Sequence, residues 1–144
     1  MQIFEALRQD HDKQRALMRV LVDTSGESSV REEFYTQLKT ELKKHATAEE
    51  RYFYAPLMHS DATVQMSRHG VAEHHQLDEL LSKLDNTDYS SSAWLTLMKQ
   101  LQHKVLHHLE EEETEFFQQA GKVLSMSEKE QLADDYLKEM DESS

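Results

Sequence analysis

Apolar residues recur every three or four positions in four long stretches of this chain, the spacing that lines one face of a helix. The first stretch covers about residues 2–23, with Ile3, Phe4, Leu7, Met18, Leu21 and Val22 along one side. Gly26, in the polar segment 24–29, ends it, and Ser29 with Glu32 has the form of a capping box for the second stretch. That stretch lines up Phe34, Leu38, Leu42, Tyr52 and Phe53 and is predicted to end near Pro56. A third, from Ser60 or Asp61, carries Val64, Val71, Leu77, Leu81 and Leu84. After a polar loop at 86–92, a fourth presents Trp94, Leu97, Met98, Leu101, Val105 and Phe116 and stops near Gly121. Ser127 with Glu130 reads as another capping box, opening a short amphipathic helix over about 127–140 with Leu132, Tyr136, Leu137 and Met140. The pattern predicts an all-α fold: an up-down four-helix bundle over about 1–121 plus a short C-terminal helix, in one domain over 1–144.

Polar residues interrupt these stripes at matched places. His11, His45, His74 and His108 each fall within the apolar stripe of a different long helix, and Glu49 and Glu112 share the second and fourth stripes. Each Glu stands four residues after a His, which on a helix is ~400° of turn and ~6 Å of rise, so imidazole and carboxylate sit side by side. The spacing also repeats. His11 and His74, His45 and His108, and Glu49 and Glu112 all differ by 63, as do Leu17 and Leu80, Leu21 and Leu84, and Leu38 and Leu101. The chain therefore reads as two copies of a helical hairpin related by a pseudo-twofold axis.

Four imidazoles and two carboxylates aimed at one interior need compensation. Burying the carboxylates alone without partners costs on the order of several kcal/mol each. A pair of cations compensates most simply: each Glu bridges two ions, and the four His divide two to an ion. With no Cys in the chain, thiolate ligands are excluded. Imidazole with carboxylate suits iron, manganese or zinc rather than copper(I), at a separation of about 3.5–4 Å.

A lone His on an apolar face is more often a core residue than a ligand, but six such groups together favour cations. Glu50 and Glu113 lie ~100° past the bridging pair, which reads as facing solvent or a salt bridge ahead of supporting the ligands. His59, His103 and His107 fall off the stripes. His75 is expected to face outward, although a swap with His74 stays open. Tyr52, Phe53, Tyr54, Phe116 and Phe117 read first as core packing, with shielding of the metals as a second role.

Composition narrows the setting. Three Gly and one Pro favour long uninterrupted helices, and a net charge of −12 argues against nucleic acid or anionic lipid as partner. The absence of a signal peptide or spanning apolar run leads to the expectation of a soluble, cytoplasmic protein.

The ordered set Asp10-His11, His45-x-x-x-Glu49-Glu50, Glu73-His74 and His108-x-x-x-Glu112-Glu113 resembles the hemerythrin-like, or HHE cation-binding, family, over about residues 1–120. The resemblance implies a four-helix bundle with a non-haem di-iron centre on His11, His45, Glu49, His74, His108 and Glu112. It also implies O2, NO or peroxide as small ligands. Oxygen-carrying hemerythrins resemble this chain but have a further His where Gly70 stands, and His69 is ~140° from His74 around the helix. Two irons each with a vacancy look more like the nitric-oxide-handling and iron-centre repair branch. The expected role is binding of O2 or NO for sensing, storage or stress protection. The alternatives are a di-iron oxidase or peroxidase-like enzyme and an iron-responsive interaction or storage domain. No Glu stands three residues before a His, so the ferritin-type Glu-x-x-His site is disfavoured. Monomer and homodimer remain open.

Overall fold

A computed structural model describes residues 1–26 and 28–142; Glu27, in the first expected loop, and the last two serines lie outside them. The chain forms α1 (Ile3–Val22) and α2 (Ser29–Glu49), the latter continued through a π-helical turn (Glu50–Tyr54) into α3 (Ala55–Leu57). Next come α4 (Val64–Asp85) and α5 (Ser92–Glu111), a second π-helical turn (Glu112–Phe116), α6 (Phe117–Val123) and α7 (Met126–Glu142). α1 packs on α2 and α5, and α4 packs on α5. The result is the expected all-α bundle, with α7 laid against α1 and α2.

Helix ends depart from expectation by a few residues, each for a visible reason. α2 is capped by Ser28, whose hydroxyl accepts the Arg31 N–H at 3.1 Å, so Ser29 is already helical. α4 starts at Val64 because Thr63 is non-helical and its hydroxyl donates to the Leu57 carbonyl at 2.6 Å, which closes the 58–63 connection. The last helix uses Ser125 and Glu128 as its reciprocal cap, at 2.8 and 3.1 Å, two residues before the expected Ser127. Its Leu137 is exposed, and Ala133, Tyr136 and Met140 are the buried positions. At the start of α2, Tyr35 is buried and Phe34 only half-buried.

Two apolar clusters fill the bundle. One holds Ile3, Leu7, Phe53, Tyr54, Phe117 and Tyr136; the other holds Met18, Leu38, Leu42, Leu81, Trp94 and Leu101. Arg31 closes the far end of the second cluster, its guanidinium 4.5 Å above the Trp94 ring and donating to both oxygens of Thr24. Along α1 the order is Ile3 and Leu7, then Asp10, His11 and Gln14, then Met18 and Leu21, all buried. A polar layer thus lies between two dry ones, where low dielectric makes its pairings strong.

Candidate metal centre

The polar layer collects all six sequence-expected residues. His11, His45, His74 and His108 are at most 5% exposed, and Glu49 and Glu112 are fully buried. His11 Nε2 lies 3.1 Å from Glu112 Oε1, and His45 Nε2 lies 3.5 Å from Glu49 Oε2. Across the centre, His74 Nε2 is 3.0 Å from Glu49 Oε1, and His108 Nε2 is 3.4 Å from Glu112 Oε2. The ring centroids pair accordingly, His11 with His45 at 5.2 Å and His74 with His108 at 5.0 Å. Each carboxylate therefore turns one oxygen toward each pair of rings.

These separations fit cations. Bonds of about 2.1 Å place neighbouring donors about 3.0 Å apart in an octahedron and about 3.4 Å apart in a tetrahedron. The donor atoms are also orphaned: Nε2 of His11, His45 and His108, both oxygens of Glu49 and one of Glu112 are buried without a hydrogen-bond partner. Buried polar atoms are rarely left so, and here they converge. They form two groups, His11, His45, Glu49 and Glu112 in one, and Glu49, His74 and His108 in the other.

Both carboxylates sit at π-helical turns. Glu49 is the last residue of α2 before its turn, and Glu112 opens the turn after α5. In each turn an i→i+5 bond replaces the usual one, Ala55 N–H to the Glu50 carbonyl and Phe117 N–H to the Glu112 carbonyl. The extra residue rotates the downstream helix, so Phe53 and Tyr54 are buried where regular spacing put Tyr52 and Phe53 inside. This brings the Tyr54 hydroxyl onto Glu112, to which it donates a hydrogen bond.

Charge is stabilised in pairs. Burial opposes ionisation of Glu49, but the rings of His45, His108 and His74 outweigh it and hold its carboxyl well below the usual range. Burial likewise opposes a charged His45, yet Glu49 and Asp10 push it up to about 10. His11, His74 and His108 are raised against their own burial by the carboxylates they face. Each of the four rings thus faces a carboxylate. A cation bound here would take the place of protons on the rings.

The hemerythrin HHE cation binding domain model matches residues 2–120. The chain belongs to the hemerythrin HHE cation-binding family. Its structure superposes on the crystal structure of a hemerythrin HHE cation binding domain-containing protein from Mycobacterium kansasii with a TM-score of 0.89. The two are 23% identical over 99% of this chain and 87% of that one, a likeness of fold. No curated protein matches the chain.

Around its inner donors this HHE chain carries an outer ring of acids that obeys the 63-residue repeat. Asp10 and Glu73 each precede one His and reach a different one: Asp10 lies 3.7 Å from His45 Nδ1, and Glu73 is 2.8 Å from His108 Nδ1. Glu50 and Glu113 each come directly after a bridging Glu, and they lie 3.4 Å from His74 Nδ1 and 2.6 Å from His11 Nδ1. The expectation that Glu50 and Glu113 serve solvent or salt bridges ahead of the ligands holds for Glu50, which is 37% exposed and leaves His74 Nδ1 without a hydrogen-bond partner, and needs correcting for Glu113. Glu113 keeps its ion pair, with Arg15 at 2.9 Å, and also holds His11. Its carboxyl sits at about 2, because burial is outweighed by His11 and Arg15.

Sequence reasoning gave Asp10 and Glu73 no contact with a ring, and it did not bring Tyr136 to the centre. The Tyr136 hydroxyl lies 2.6 Å from His45 Nδ1 and donates to Asp10, so α7 reaches the centre. Its place on the buried face of an amphipathic helix was the available signal. His59, His75, His103 and His107 are exposed as expected. Gly70 has a steric role, since a Cβ there would lie 2.2 Å from the Tyr54 ring. The room that a side chain at position 70 would fill is taken by Tyr54.

Proposed function

We propose that this chain is a non-haem di-iron protein that binds O2 or NO for sensing, storage or protection against stress. His11 and His45 hold one ion, His74 and His108 hold the other, and Glu49 and Glu112 span both. The observation that carries this reading is the convergence of buried, unpartnered donor atoms in two groups that share a carboxylate. The donor set suits iron, manganese or zinc. Iron, when bound, supplies a redox-active centre with room for a small ligand.

The chain's own residues limit what that ligand is. A cavity of about 10 Å³ touches the rings of His45, His74 and His108, with Leu42, Leu81 and Val105 among its apolar walls. That is the room of about one water, so without side-chain movement it admits only the smallest ligands. Gln14 also lines it, 1% exposed, with its amide nitrogen unpartnered and free to donate to a ligand there.

A second reading, a peroxide-consuming enzyme, is favoured by one observation. The buried Tyr54 hydroxyl donates a hydrogen bond to Glu112, which places a phenol O–H beside the centre.

Optical spectra and iron analysis of the reduced, iron-loaded protein, before and after O2, NO and peroxide, separate the readings. An adduct that forms and reverses when gas is removed supports binding. Repeated consumption of peroxide with iron retained supports the enzyme. Indifference to all three reagents contradicts both.

A further inference from the structure

His69, Glu73 and Glu111 form a third cluster outside the buried centre, with one donor atom from each lying within 4.8 Å of the others. His69 Nε2 is 3.0 Å from Glu111 Oε1 and 3.5 Å from Glu73 Oε2, and His107 Nε2 stands 3.9 Å from Glu111 Oε2. The residues come from two helices, α4 and α5, so the convergence is tertiary. Two carboxylates meet here, 13% and 18% exposed, and Glu111 Oε1 is buried without a hydrogen-bond partner. The His69 side chain is 54% exposed, so the cluster opens to solvent on one side.

The repeat shows that this cluster is a departure. Subtracting 63 from 69 and 111 gives Ala6 and Ala48, and these alanines lie buried in one cluster with Ala133 and Tyr136 of α7. On that half of the bundle, small side chains make room for α7. On the other half the same positions carry an imidazole and a carboxylate, and Glu73 already holds His108 by its other oxygen.

We infer that His69, Glu73 and Glu111 bind a third divalent cation of the zinc, iron(II) or manganese class. The two separations from His69 Nε2, 3.0 and 3.5 Å, are close to the edges of a coordination polyhedron with bonds of about 2.1 Å. Open to solvent and built from three side chains, this site binds more weakly and exchanges faster than the buried pair. Through Glu73 it lies one side chain from His108. The site does not rest on the two-metal reading.

Equilibrium dialysis of metal-free protein against graded Zn2+, counting bound zinc per chain, tests it with the natural chain, His69→Ala and Glu111→Gln. Two tight equivalents are expected in all three proteins. A third, weaker one is expected in the natural chain, weakened at least about tenfold in each variant. No third equivalent in the natural chain overturns the inference, as does one that both variants keep at full affinity. Loss of the tight pair with survival of a His69-dependent equivalent would sink the two-metal reading and leave this one standing.

Discussion

The two halves of the centre share their inner donors and differ in what surrounds them. Around His11 and His45 the support is closed: Tyr136 is fully buried against Asp10 and His45, and Arg15 pins Glu113 onto His11. Around His74 and His108 it is open, with Glu50 37% exposed at 3.4 Å from His74 and Glu73 shared with the exposed His69. Both halves carry one repeated pattern, and two things set them apart: α7, which covers α1 and α2, and Arg15, whose place in the second copy is taken by Asp78. A duplicated hairpin gives twofold chemistry, and an added helix with one unmatched arginine makes the two positions unequal. The wrapped half should hold its ion more tightly.

The largest expected effect erases the comparison. Glu49 faces three of the four rings, so Glu49→Ala removes a donor from both halves at once. Metal content should collapse. The melting temperature of the metal-equilibrated protein should fall by roughly 10 °C, because binding free energy adds to folding. Unchanged metal and an unchanged melt would remove Glu49 from its bridging role.

Smaller and more pointed is Tyr136→Phe, which strips one hydroxyl from the wrapped half. Affinity there should drop about 10–100-fold while the other half is untouched, as read by stepwise titration with a chelator. Equal weakening of both steps would mean that α7 supports the bundle as a whole.

Proton competition gives a third handle. His45 is pushed from 6.5 up to about 10 in the metal-free fold, so the stability drawn from its proton is full below 6.5 and fades as pH rises through about 10. The metal needs the neutral ring, so affinity should climb with pH across that same window and loading should release protons. Calorimetry in buffers of different ionisation heat measures that release, and pH-independent affinity would contradict it.

The smallest effect belongs to His75→Ala. His75 is exposed beside His74, and its loss should leave metal content unchanged. A large loss would shift the ligand by one position.

Much of the centre was legible in the sequence for physical reasons. The stripes mark which helix face is inside, and an ionisable residue within a stripe has to be buried with it. His11, His45, His74, His108, Glu49 and Glu112 were visible for that reason, and the repeat reinforced them. What a helical wheel cannot show is a change of helix. The π-helical turn after α2 leaves Tyr52 only half-buried where the stripe put it inside, and no single residue type announces an i→i+5 bond. Nor does a wheel say which foreign element a polar tip meets. Glu113 and Tyr136 act across 102 and 91 residues of sequence, and only packing joins them to His11 and His45.

Anaerobic titration of the metal-free chain with Fe2+, with gel filtration and X-ray absorption on the product, bears most directly on the paired-cation centre. Two irons should stay with each chain and give a metal–metal vector of about 3.5–4 Å. One retained iron, none, or two without that vector would contradict it.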